Sequence, residues 1–215
     1  MGDSNLDAVK VERKTGGEHV HANGRELPYD VLGFWQWGGS DLLNNAWRGV
    51  LAEYLVACAL GVTDGTRVEW DAYDMITKQG VKVEVKSAAY LQSWRQEKLS
   101  SISFNVQPTQ AWDSRTGKYS TERKRQADVY VFAVLKHKDK LRVDPLDVEQ
   151  WDFYVLPTAV LNEKIANQKQ ASFGRLRQLG PVKAGFGQLA QVIVSMFSDP
   201  ASSNDASHLS MKEAI

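Results

Sequence analysis

Cysteine is nearly missing. Cys58 is the only one in 215 residues, so no intrachain disulfide can form. That fits a chain kept in a reducing interior. No run of about 18 apolar residues is present to span a membrane, and Met1 to Lys14 has no apolar segment of signal-peptide type. A cytoplasmic protein is expected. An excess of either charge sign is also absent, with 26 basic and 26 acidic side chains and a formal net charge of zero. Proteins that coat nucleic acid non-specifically are usually basic overall, so any phosphate contact has to come from a local patch. Neither a Gly-rich phosphate loop nor a Gly-x-Ser-x-Gly elbow occurs, which speaks against a small-molecule enzyme of those α/β types.

What is present describes one ordinary soluble domain, 43% hydrophobic and 24% charged. Residues 1–26 are polar and lack an apolar period, and 199–215 carry a Ser/Asn/Asp cluster. Both are expected to be flexible tails around a domain spanning 27–198. Ser40 and Asp41 suit a helix start and Gly61 a helix stop, so Asp41 to Leu60 reads as one helix. Strand-like runs follow at Val68–Thr77, Val81–Tyr90 and Ser101–Val106. Ala127–Leu135 is the most apolar run and reads as a strand buried on both faces. Trp151–Leu156 is a further strand, Pro157 opens a helix to about Ala166, and Gly187–Met196 is the last helix. The order predicts an α/β fold, a mixed sheet flanked by helices.

The two runs around Lys78-Gln79-Gly80 carry the chemistry. If that connection is a three-residue hairpin loop, Thr77 pairs with Val81 and Asp74 lies across from Glu84. Side chains alternate along a strand, so Asp74, Glu84 and Lys86 share one face while Val81, Val83 and Val85 take the other. Two opposed carboxylates repel, and a hard divalent cation between them removes that penalty. A loop one residue shorter would turn Asp74 to the valine face. Asp71 falls on the opposite face by parity and ranks behind Asp74. Glu53 shares a helical strip with Ala46, Gly49 and Ala57. A carboxylate embedded in such a strip needs a partner or a wet cleft, because a lone buried charge is costly.

Asp74, nine intervening residues, then Glu84-Val85-Lys86 resembles the signature of the PD-(D/E)XK nuclease superfamily. A helical glutamate ahead of it, here Glu53, recurs in many members. The similarity covers the element order from about Ser40 to Leu135 and looks most like the restriction-endonuclease-like and Holliday-resolvase-like members. Tyr73 stands where the signature begins with proline. The resemblance implies a Mg²⁺-dependent endonuclease, with Mn²⁺ able to substitute, that hydrolyses DNA phosphodiester bonds in restriction and defence or in repair and recombination. It implies that Asp74 and Glu84 bind the metal with the backbone carbonyl of Val85, and that Glu53 supports it directly or through water. Lys86 would orient or activate the attacking water and stabilise charge on the phosphate. Branched or double-stranded DNA and a homodimer are the expected partners. The rival reading is a catalytically silent DNA-binding or scaffold module of the same fold.

Contacts to nucleic acid have several candidates. Arg115, Lys118, Arg123, Lys124 and Arg125 form a basic cluster read as a polar loop, which fits a phosphate contact or a solvated surface equally. Trp94, Arg95 and Lys98 join an aromatic to two cations. Arg48 and Ser87 complete the set, while Gln107 reads as polar filler and Arg175 and Arg177 face either DNA or solvent. Trp35 and Trp37 are expected in the core. His19 and His21 lack a cysteine partner and do not suggest zinc.

Overall fold

A computed structural model describes residues 6, 8–69, 71–113 and 116–197. The expected C-terminal tail, 199–215, lies outside the described residues. In chain order the elements are β1 (His19–Ala22), β2 (Arg25–Asp30), α1 (Val31–Gly39), α2 (Asn45–Leu60), β3 (Met75–Ile76), β4 (Lys82–Ala89), β5 (Ser103–Asn105), β6 (Thr109–Asp113), β7 (Lys118–Lys124), β8 (Val129–Leu135), β9 (Trp151–Pro157), α3 (Thr158–Ile165), β10 (Gln170–Ser172), α4 (Phe173–Gln178), β11 (Val182–Ala184) and α5 (Leu189–Ser195).

The centre is a five-stranded mixed sheet in the order β11-β9-β8-β4-β3. Only β4 and β8 run parallel, in register Glu84 to Tyr130 and Lys86 to Phe132. All seven residues of β8 are buried, as its unbroken apolar run predicts. Its odd-numbered side chains pack with Val83 and Val85 of β4 under Ala52, Leu55 and Val56 of α2 and Leu189 and Ile193 of α5. Its even-numbered side chains pack under Leu161 and Ile165 of α3 and Leu176 of α4. The fold is therefore a mixed α/β arrangement with helices on both faces, compatible with the restriction-endonuclease-like class. Each fully buried aliphatic side chain in these layers contributes roughly 1.5–3 kcal/mol.

The helix preceding the hairpin begins later than its sequence suggests. Asp41 uses its carboxylate on the N–H groups of Leu43 and Asn44, both at 3.2 Å, which makes a turn. Asn44 then caps α2 by accepting from the Trp47 N–H at 3.0 Å. Gly61 ends it with φ +64°, a left-handed conformation glycine adopts without penalty.

The first element expected at the N-terminal end, a helix at Asp41, is preceded by three others. β1 and β2 form a hairpin closed by Asn23-Gly24, both with positive φ, the conformation a two-residue mirror-image turn needs. Asp30 caps α1 through the Gly33 N–H at 2.7 Å. No residue of α1 is buried, and Trp37 is 86% exposed. The expectation that Trp35 and Trp37 sit in the core is overturned: α1 presents its aromatic side chains outward. His19 and His21 stand on exposed β1. No helix among the described residues is long and apolar enough to cross a membrane.

Candidate active site

The hairpin loop has the expected length. The Thr77 N–H donates to the Val81 carbonyl at 2.9 Å, Gly80 takes φ +86°, and Met75 pairs with Val83 and Ile76 with Lys82. The first strand is much shorter than the run Val68–Thr77, since β3 holds only Met75 and Ile76. The Asp74 N–H still donates to the Val83 carbonyl at 3.1 Å, and beyond that bond the ladder gives way to a side chain. The carboxylate of Asp74 accepts the Val85 N–H at 2.6 Å, filling a place a strand carbonyl would otherwise take. This contact binds Asp74 to the strand that carries Glu84 and Lys86. Asp71 lies in an exposed bend.

Glu84 and Lys86 stand half-buried on one face of β4 while Val83 and Val85 are buried on the other. The Lys86 Nζ lies 2.5 Å from Glu84 Oε1. Glu53 comes from α2 on the opposite face of the sheet, and it has a partner that sequence reasoning missed. Arg67 donates Nε to Glu53 Oε2 at 2.5 Å and Nη2 to Oε1 at 3.2 Å. No period or motif marks Arg67, because it sits in an irregular segment whose path only packing defines.

The three carboxylates nevertheless feel one another. Burial, then the charges of Glu84 and Glu53, push Asp74 from its ordinary value of 3.8 up to about 7, against the Val85 hydrogen bond and Lys86, which act the other way. Among the described residues no three His, Cys, Asp or Glu side chains are gathered so closely that they could hold a metal ion by themselves. Mg²⁺ does not require that: it uses one or two carboxylates and fills its shell with water and phosphate oxygen. Asp74 and Glu84, two hard oxygen donors in a partly buried and mutually repelling pair, fit such an ion. Glu53, already gripped by Arg67, fits a supporting place better than a direct one.

A small polar cleft of about 50 Å³ opens beside Glu84 and Lys86, lined also by Asn105, Gln107, Thr109, Gln126 and Tyr130. Gln107 thus faces the cleft and is not filler. Tyr130 is a further residue that the sequence did not mark. It reaches the site through the parallel register that sets it beside Glu84, and burial followed by the Glu84 charge raises its hydroxyl pKa, so it stays protonated.

The expected nucleic-acid contacts separate into groups. Lys118, Arg123 and Lys124 are exposed, on a β-hairpin and not in a loop. Arg125 is a correction: it is buried, donating to the Val106 carbonyl at 2.8 Å, Asn162 Oδ1 at 2.8 Å and the Ile165 carbonyl at 3.1 Å. Arg48 is likewise buried, donating to Leu43, Asn45 and Gln92, so it ties α2 to the segment after β4 and does not offer itself to DNA. Ser87 shares the valine parity of β4 and lies on the face away from Glu84 and Lys86. Arg115 lies outside the described residues. Trp94, Arg95 and Lys98 are exposed on the 90–101 segment, which Gln96 holds through the Gln92 N–H, the Tyr90 carbonyl and Ser100 Oγ. They stand at the far end of β4 from Glu84. Arg177 is exposed and Arg175 bonds Gln178 and the Lys164 carbonyl.

The fold is a mixed α/β class, with carboxylates and a lysine at the β3–β4 edge of its sheet. The comparison with known families is more specific. The sequence model for bacteriophage T4 endonuclease IV matches residues 37–172, well over half of the chain, and the chain belongs to that family. No curated protein matches it. The matched span contains α2, the hairpin, the cleft and the central strand; β1, β2 and the first two turns of α1 precede it.

Proposed function

We propose that this protein is a Mg²⁺-dependent endonuclease of PD-(D/E)XK type that hydrolyses phosphodiester bonds in DNA, working in the cytoplasm in restriction and defence or in repair and recombination. The observation that carries the reading is Asp74, forced up to about 7 by burial beside Glu84 and Glu53 and joined to β4 by its own side chain. A cluster of this kind costs stability unless a cation sits with it. Membership of an endonuclease IV family supports the class of reaction.

In this reading Asp74 and Glu84 would hold the ion, helped by the Val85 carbonyl. When bound, Mg²⁺ lowers the pKa of water and neutralises charge on the phosphate. Lys86, whose ammonium lies 2.5 Å from Glu84 Oε1, would orient the attacking water and stabilise charge on the phosphate. An electrostatic role suits it better than general-base work, since its ammonium is ion-paired with Glu84. Arg67 keeps Glu53 in place through two hydrogen bonds. Tyr130, protonated, offers a hydrogen-bond donor at the cleft floor. A homodimer, each copy cutting one strand, extends the reading to duplex substrates.

The test is incubation of plasmid, branched and single-stranded DNA with Mg²⁺ or Mn²⁺, for the wild type and for Asp74→Ala, Glu84→Ala and Lys86→Ala. Cleavage by the wild type alone supports the proposal. Equal cleavage by all four proteins removes the site, and DNA binding without cleavage by any of them favours a silent module of the same fold.

A further inference from the structure

Between β5 and β8 the chain makes a two-stranded ribbon, β6–β7, whose strands pair only with each other. None of its residues is buried, so it covers no core. An isolated two-stranded ribbon is marginal in water, yet this one is fastened at both ends. Toward the turn, Trp112 pairs with Tyr119, ring centroids 4.8 Å apart. At the root, buried Arg125 ties β7 to Val106 and to Asn162 and Ile165 of α3, and Gln126 Nε2 donates to the Thr109 carbonyl at 3.1 Å.

The root is also the wall of the active cleft, since Thr109 and Gln126 line it together with Glu84 and Lys86. Thr109 is paired with Lys124, so Lys124 stands on the ribbon face that continues the cleft. The next pair, Gln110 with Arg123, points to the other face. Among the described residues the Lys124 ammonium meets only Glu122, at 3.1 Å in an exposed pair that is worth little and easily exchanged. Arg123 has no hydrogen bond or ion pair from its guanidinium among the described residues. A core-free ribbon rooted in the wall of the cleft, with cations on both faces, is suited to hold a polyanion there.

We propose that the β6–β7 ribbon is an arm that holds the sugar–phosphate backbone of DNA beside the cleft, with Lys124 and Arg123 as its phosphate contacts; this rests on the nuclease reading. The chain's neutral net charge makes such a local grip necessary. The same backbone chemistry is offered by duplex and by single-stranded DNA, and both serve as probes.

The experiment measures fluorescence anisotropy of labelled duplex and single-stranded oligonucleotides with the full-length Glu84→Gln chain in Mg²⁺, over a salt series. The Arg123→Ala/Lys124→Ala form of that chain is compared with a charge-matched control, Arg142→Ala/Lys164→Ala. The arm variant is expected to bind several-fold more weakly than the control. Its salt slope should fall by about 1.8 on duplex or about 1.4 on single-stranded DNA. A loss confined to one probe supports the arm and names the form of DNA it holds. Affinity and slope equal to the control, or no binding to either probe by the parent chain, overturn the arm. Binding is read without cleavage, so an arm that holds DNA in a chain whose wild type cuts nothing would sink the nuclease reading alone.

Discussion

Two aspartates of the same sheet show opposite electrostatics. Asp152, on β9, lies 3.0 Å from Lys136 and 2.8 Å from Lys183. Burial raises its pKa but the two lysines more than reverse that, and the carboxyl ends below its ordinary value. Asp74, at the β3–β4 edge, has two carboxylates for neighbours and is held far above its ordinary value. Asp152 is complete as the chain stands. Asp74 has in Lys86 a cation that does not offset its two acidic neighbours, and that asymmetry marks it as the candidate site.

The comparison breaks most visibly in cleavage. Asp74→Ala or Glu84→Ala should lower the rate of Mg²⁺-dependent DNA cleavage by at least roughly a hundred- to a thousandfold, while Asp152→Ala should leave it within a few-fold. Comparable losses at both aspartates in a cleavage time course would erase the distinction.

Metal linkage comes next. Saturating Mg²⁺ should raise the thermal midpoint of the wild type, by about 2.7 kcal/mol of stability when the ion is a hundredfold above its dissociation constant. The shift should be larger at pH 8 than at pH 6, because Asp74 must lose its proton to bind the ion. It should be missing in Asp74→Asn. Identical Mg²⁺ shifts in the two proteins would place the ion elsewhere.

Without metal the two aspartates should act with opposite sign. The unfolded chain releases the Asp74 proton near 3.8 and the folded chain near 7. Between those values the folded state binds more protons, so this group's contribution falls as pH rises and levels off above 7. Asp74→Asn should therefore stabilise the metal-free protein at pH 8, by about 1–3 kcal/mol, with the gain shrinking toward pH 4. Denaturant unfolding at the two pH values reads this; a loss of stability at pH 8 would contradict it. The smallest effect belongs to Asp152→Asn, a destabilisation at pH 7 of about 1 kcal/mol or less, given its half-solvated lysines. Its folded pKa is depressed, so that contribution should be present above the ordinary carboxylate range and vanish as pH drops through the folded value.

Much of the candidate site's geometry was readable from the chain because it is local. The turn Lys78–Gly80 sets the register, and a period of two then fixes which side chains accompany Glu84. The all-buried strand and the helix stop at Gly61 were equally plain. The ribbon β6–β7 was not, because a hairpin solvated on both faces has no alternation of apolar and polar residues to reveal it. The first hairpin did leave a signal in Asn23-Gly24, which polar composition around it obscured.

The sequence by itself determined Asp74, Glu84 and Lys86 as a group, since short-range turn geometry and strand parity need no distant partner. Tertiary structure alone decided that Arg67 grips Glu53, that Tyr130 stands beside Glu84, and that Arg125 points into the protein while Arg123 and Lys124 point out. Those outcomes depend on which elements meet across long stretches of chain, and that choice is made by core packing, where burial of apolar surface outweighs any single local preference.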